Sequence, residues 1–237
     1  MNRKVENKSG IAGDPISEKL LEIYHRLYTH FGPRHWWPAD SPFEVIVGAI
    51  LTQNTSWSNV EKAINSLKGA NLLAPKLMYA TDESTLAETI RPSGYYRLKA
   101  NRLKNFLTFL FKKYRGSLVE MFSEGMEALR EQLLSIKGIG PETADSILLY
   151  AGEKPVFVVD NYTKRIFSRH NFISHDATYQ ETQNYFMSRL HHQVRLFNEY
   201  HAQIVKLGHL FCKPTPVCAG CPLEDIKPDN KNRVPNK

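Results

Sequence analysis

The sequence predicts an all-α protein, and three observations support that prediction. Most segments repeat apolar residues at the three-and-four spacing of a helix. No stretch alternates apolar and polar residues long enough for a sheet, and the one β-branched run, Val156-Phe157-Val158-Val159, is short. Proline and capping residues recur where helices should begin, as in Ser41-Pro42-Phe43-Glu44.

The first helix covers Pro15 to Phe31, with Leu20, Ile23, Tyr24, Leu27 and Tyr28 in phase, and ends before Gly32-Pro33. A short aromatic loop, His35-Trp36-Trp37-Pro38, follows. Ser41 and Glu44 read as a full capping box for a helix over Phe43 to Leu51. That helix is apolar on every side, so it should lie at the centre of a helical domain. After a polar break, Thr52 to Trp57, the pattern places helices at 58–68, 75–79, 83–90 and 96–114. The last is read with Leu98, Leu103, Phe106, Leu107 and Leu110 inward, and with Lys99, Arg102, Lys104, Lys112 and Lys113 outward. Helices at 118–122 and 126–134 lead to Lys137-Gly138-Ile139-Gly140-Pro141, a tight turn opening a helix over 141–151. Asp160 caps the next helix, to about His170, and two more span 179–190 and 196–211.

With 237 residues and 42% hydrophobic content, the chain can bury an ordinary core as one large domain or two small ones. Lysine and arginine outnumber acids 31 to 24, a net charge of +7 that favours a polyanionic partner without establishing one. No apolar run approaches the ~20 residues that span a bilayer, so no membrane association is expected. Residues 1–13 read as a loose polar tail without a secretion signal, which predicts a cytoplasmic protein. Two glycines in the hairpin let a partner approach the backbone, and exposed amides at a helix start favour an anion such as a phosphate. On Gly-x-Gly alone, an ordinary helix–turn–helix corner fits equally well. Cys212, Cys218 and Cys221 make a poor disulfide framework and look more like part of a metal site.

In combination these features are specific. The hairpin Lys137-Gly138-Ile139-Gly140-Pro141-Glu142-Thr143-Ala144-Asp145, followed by Val158-Val159-Asp160, resembles the helix–hairpin–helix DNA glycosylase superfamily. Leu51-Thr52-Gln53-Asn54-Thr55, Gly94-Tyr95-Tyr96 and the C-terminal cysteines resemble its endonuclease III branch. Trp36-Trp37-Pro38 and Arg91-Pro92-Ser93-Gly94-Tyr95 are most similar to the endonuclease III-type 3-methyladenine DNA glycosylases. The resemblance covers roughly Ile16 to Asp225.

It implies a two-lobed protein acting as a monomer on double-stranded DNA, with the active-site cleft between the lobes. One lobe is a six-helix domain, residues 41–151; the other joins 14–40 to 152–237. The family flips a damaged base and cuts its N-glycosidic bond. The family's aspartate falls on Asp160, suited to stabilise positive charge building on the sugar and to orient or deprotonate water. Where members that also cleave the backbone carry a lysine, this chain has Glu142, which cannot form an imine. A monofunctional enzyme that leaves an abasic site is therefore expected.

Trp36 and Trp57 match aromatic base-pocket positions, with Trp37 and Pro38 shaping the same wall. Indoles could select a cationic alkylated base by cation–π stacking. Gln53 matches the residue that fills the gap left by the flipped base, and Tyr95 the wedge opposite. Gly138, Ile139 and Gly140 should hold a phosphate through the backbone, with Lys137, Lys164 and Arg165 adding charge. The cysteine spacing resembles the family's iron–sulfur loop, but the fourth cysteine position is Lys227. Three thiolates could keep a 4Fe–4S cluster with Asp225, Asp229 or solvent on the last iron; equally, packing could hold the loop. A relative type without the cluster carries a special lysine after a histidine, where this chain has Gln203 after His201-Ala202. Competing readings are a glycosylase for mismatched or oxidised pyrimidines, a catalytically silent DNA-binding protein, and an iron–sulfur redox protein.

Overall fold

A computed structural model describes residues 14–226, all-helical among those residues. The expected 1–13 tail, Lys227 and Asp229 lie outside them. The chain forms two compact units, one of residues 1–36 with 155–237 and one of Trp37–Lys154.

The central unit is built on α2 (Pro42–Leu51), whose residues from Phe43 to Leu51 are all buried. Ser41 caps it by accepting the Glu44 N–H at 3.2 Å. The capping box is completed differently from the expectation: Glu44 Oε2 accepts from Asp40 N–H at 3.1 Å, and Oε1 meets Lys68 Nζ at 2.8 Å. Around α2 lie α3 (Trp57–Gly69), α4 (Pro75–Ala80), α5 (Glu83–Thr89), α6 (Tyr96–Tyr114), α7 (Leu118–Ser123), α8 (Met126–Leu134) and α9 (Pro141–Ser146). This makes eight α-helices where the resemblance implies six. The unit also exceeds 41–151 at both ends. Trp37 packs over Gly48, and Lys154 donates to Leu148 and Glu124 carbonyls at 2.9 and 2.7 Å. The helix expected over 141–151 changes at Ile147 to a π-turn, closed by Gly152 N–H to Ile147 O at 3.0 Å.

The phase of α6 corrects the sequence reading. Leu98 is 49% exposed and Lys99 fully buried. The buried stripe is 99, 103, 106 and 110, and Leu98 falls on the flank with 102, 105 and 109.

The other unit packs α1 (Pro15–Phe31), α10 (Asn161–Arg169), α11 (Tyr179–Met187) and α12 (Val194–Leu210) around buried aromatics. Phe157 stacks on Phe186 with centroids 4.1 Å apart and meets Phe197 and Tyr200 edge-on. Tyr200 donates to Leu20 O at 2.8 Å. Val156 to Val159 is a fully buried extended segment, which delivers Asp160 to the start of α10.

Helices α10 and α12 approach closely at Gly208, where a Cβ would sit 2.1 Å from Tyr162 Cδ1. Gly→Ala inside a helix ordinarily stabilises by roughly 1 kcal/mol. Here Gly208→Ala is expected to destabilise by about 1–3 kcal/mol through overpacking, read as a fall in thermal midpoint of roughly 2–10 °C. A raised midpoint would contradict this packing.

Candidate active site

Asp160 is the N-cap of α10, and its side chain is 11% exposed. One carboxylate oxygen, Oδ1, accepts from Thr163 N–H at 2.7 Å and from Thr163 Oγ1 at 2.8 Å. The cap therefore fixes the carboxylate by one oxygen and leaves Oδ2 outside that bond. His201 Nε2, on α12, lies 3.7 Å from Oδ2. Burial pulls the His201 pKa below the ordinary histidine value, opposed by the Asp160 charge. Neither Thr163 nor His201 was singled out beside Asp160 in the sequence; for Thr163, the i+3 spacing from a capping aspartate was the available signal. Gln203, at the special-lysine position, is buried and donates to Gly32 O at 2.7 Å and Glu199 Oε1 at 2.6 Å.

In the central unit the hairpin follows α8. Gly138 has φ +97°, and a Cβ there would lie 2.4 Å from Arg102 Cγ, so glycine is required by conformation and by space. Ile139 departs from its expected role at the surface: its side chain is buried and its N–H closes the turn on Ile136 O at 3.0 Å. Lys137, Gly138 and Gly140 are exposed. Asn105 donates to Lys137 O at 3.0 Å, which ties the turn to α6.

Gln53 lies against this hairpin. Its Nε2 donates to Gly138 O at 3.1 Å and Thr143 Oγ1 at 2.8 Å, and its Oε1 accepts from Arg102. Tyr95 stands out from the surface at 70% exposure, with φ +46° and ψ +31°. That left-handed conformation is uncommon for an aromatic residue. It follows Gly94 at φ +66°, and together they turn the chain into α6.

A cavity of about 260 Å³ in the same unit is lined by Trp37, Pro38, Glu44, Gly48, Trp57, Glu61 and Lys68, among others. This is slightly below the ~300 Å³ of the smallest ordinary ligand pockets, a size suited to a single base. Trp37 and Trp57 meet edge-to-face with centroids 5.2 Å apart, and Trp37 also packs on Tyr150 of the π-turn at 5.3 Å. The indole of Trp37 rests on the bare Cα of Gly48, where a Cβ would come within 3.0 Å. Trp57 Nε1 donates to Glu61 Oε1 at 2.8 Å. Within this unit Trp37 therefore joins Trp57 at the cavity wall. Glu61 and Gly48 were not legible as pocket residues because an exposed acid and a helical glycine are common on any helix.

Lys164 and Arg165 do not present their charges as expected. Lys164 Nζ donates to Ala177 O at 2.9 Å, and Arg165 Nε to Cys212 O at 2.7 Å. Arg169 donates to Lys213 O at 2.6 Å, Pro214 O at 2.7 Å and Cys212 Sγ at 3.2 Å. Two arginines thereby hold the cysteine loop. A 4Fe–4S cluster takes four anionic ligands, normally thiolates. The chain has three cysteines, and among the described residues no three histidine, cysteine or acidic side chains are gathered to hold a metal. Cys212 is buried and Cys218 exposed, and burial, with Cys218 and Cys212 nearby, pushes the Cys221 thiol pKa up. Asp225 pairs with Arg26 at 2.5 Å.

The family model of the HhH-GPD superfamily base excision DNA repair proteins matches residues 47–192, and the chain belongs to that superfamily as a DNA repair glycosylase. A chain of Methanocaldococcus jannaschii named as a DNA repair glycosylase is 47% identical over 88% of this chain and 96% of its own length. Endonuclease III of Thermotoga maritima is 30% identical over 89% and 91%. The crystal structure of Helicobacter pylori 3-methyladenine DNA glycosylase bound to 1,N6-ethenoadenine superposes with TM-score 0.67 at 30% identity, covering 82% of this chain and 95% of that one. A non-covalent endonuclease III–DNA complex shares the fold at TM-score 0.76 and 22% identity, over 91% and 96%.

The lowered His201 pKa has a consequence for stability. From pH 6.5 downward the unfolded chain binds more protons at this group than the folded one. Its contribution is complete above pH 6.5 and is lost as pH falls through the lower folded value. Chemical denaturation across that window is expected to show an acid limb that His201→Gln flattens. Identical limbs in both proteins would contradict the assignment.

Proposed function

We propose that this glycosylase is monofunctional, removes cationic alkylated purines such as 3-methyladenine from duplex DNA as a monomer, and leaves an abasic site. The observation that carries the reading is the cavity with Trp37 and Trp57 as walls and Glu61 hydrogen-bonded to the Trp57 indole. An electron-rich indole attracts a positively charged base, and a carboxylate at its N–H increases that attraction. The related H. pylori enzyme, whose structure holds a modified adenine, supports the same substrate class. A base stacked between two rings needs roughly 7 Å, twice a ~3.5 Å contact, so the indole pair must open to admit it.

Asp160 supplies the chemistry on the sugar. The C1′–N bond breaks with its electron pair passing to the purine, which cancels the ring's positive charge and removes the need for a strong general acid. Oδ2 stabilises the charge developing on the sugar. Water oxygen then bonds C1′, and its proton passes to Oδ2 or to solvent. A His201 held neutral leaves the aspartate charge undiminished. Glu142, exposed in the first turn of α9, supplies no amine for an imine, which supports a reaction that stops at hydrolysis.

The test is base release from duplexes carrying 3-methyladenine, 7-methylguanine, uracil or thymine glycol. The two methylated purines are expected as products, with no borohydride-trapped adduct. Trp57→Ala should slow release about thirtyfold, the equivalent of the ~2 kcal/mol of a desolvated cation–π contact. Release of thymine glycol together with a trapped adduct would overturn the reading in favour of an oxidised-pyrimidine lyase.

We also propose that the cysteine loop folds without a cluster, supported by the two arginines that bind its carbonyls. Anaerobically purified protein should contain no stoichiometric iron or sulfide. Four irons per chain would refute this.

A further inference from the structure

Lys99 has no solvent exposure, although neighbouring cations on α6 reach the surface. Its ammonium donates to Leu51 O at 2.8 Å and Ser93 O at 2.6 Å, and its backbone N–H donates to Tyr95 O at 3.0 Å. These acceptors are not arbitrary. Leu51 is the last residue of α2, just before Gln53, and its carbonyl is among those a helix end leaves unpaired. Ser93 closes the 3₁₀ turn Arg91–Ser93 just before Gly94 and Tyr95. An ammonium therefore joins the segment that carries Gln53 to the segment that carries Tyr95, and its charge suits the negative end of the α2 dipole.

Burying an ammonium is costly unless it is well paired. Burial, with Arg102 nearby, pushes the Lys99 pKa down to about 8. An apolar side chain could fill the same space but would give neither carbonyl a donor, so the ammonium is there for the two segments it joins.

We propose that Lys99 is a positioning residue that holds the Gln53 segment and the Tyr95 turn at one fixed spacing, so that both enter the duplex together. The proposal rests on Gln53 as gap-filler and Tyr95 as wedge. On that basis Lys99 acts on the opening of the duplex and leaves bond cleavage alone.

The test uses the full chain and a duplex with 2-aminopurine beside an abasic-site analogue, whose fluorescence rises when the stack opens. Wild type is expected to raise it. Lys99→Met should lose the effect about tenfold, the scale of one charged hydrogen bond. Lys99→Arg, which keeps donors for both carbonyls, should stay within about threefold of wild type. Release of 3-methyladenine should fall in parallel on duplex and by less than about threefold on single strands, where there is no stack to open. Equal losses on both substrates, or a full fluorescence rise in folded Lys99→Met, would overturn the proposal.

A second measurement holds even if Lys99→Met does not fold. The Gln53→Ala and Tyr95→Ala pair should be non-additive, the double variant losing little more of the rise than the worse single one. Additive losses would show independent probes and overturn the positioning role. Wild type that opens the stack but releases no methylated base would sink the alkylpurine reading, with Lys99 still judged on fluorescence. Wild type that leaves the stack closed would overturn the Lys99 role directly.

Discussion

Helix α2 is buried along its length, so the polar groups at its C-terminal end must be satisfied inside the protein. Much of the central unit follows from that constraint. Thr52 Oγ1 turns back to Gly48 O at 2.7 Å, and Lys99 reaches Leu51 O. Gln53, two residues beyond Leu51, is drawn onto the hairpin through Gly138 and Thr143. Towards its middle α2 has no side chain at Gly48, and the indole of Trp37 settles there. One buried helix thus places a pocket wall and the residue that lies against the glycine hairpin.

The other unit solves a different problem, which is to hold a carboxylate in place through one of its oxygens. The extended segment 156–159 is locked by the aromatic cluster, and Gln183 Nε2 donates to Phe157 O at 2.8 Å. Asp160 emerges from this rigid base, fixed by the α10 cap through one oxygen. A helix cap is often only a stabilising feature. Here it fixes the carboxylate by one oxygen and leaves the second outside the cap.

The sequence disclosed the helices, the hairpin and Asp160 because each rests on local signals: apolar spacing, glycine in a left-handed turn, an acid before a helix. It misled where the decisive partner was distant in the chain. Lys99 read as a surface cation because lysines usually are; its acceptors at Leu51 and Ser93 belong to other elements, and only tertiary packing brings them together. Lys164 and Arg165 read as DNA-facing charge, whereas both are taken up by backbone carbonyls. Ile139 is the reverse case: within a surface hairpin, the residue between the glycines is the one that anchors it.

The central claim is that Asp160 performs the bond-breaking step of a glycosylase. It is tested most directly by single-turnover release of 3-methyladenine from duplex DNA by wild type and Asp160→Asn, with duplex affinity measured in parallel. The account predicts a loss of about a hundredfold or more in the rate, the scale for removing a group that stabilises transition-state charge, with affinity retained. Equal rates in the two proteins would contradict it.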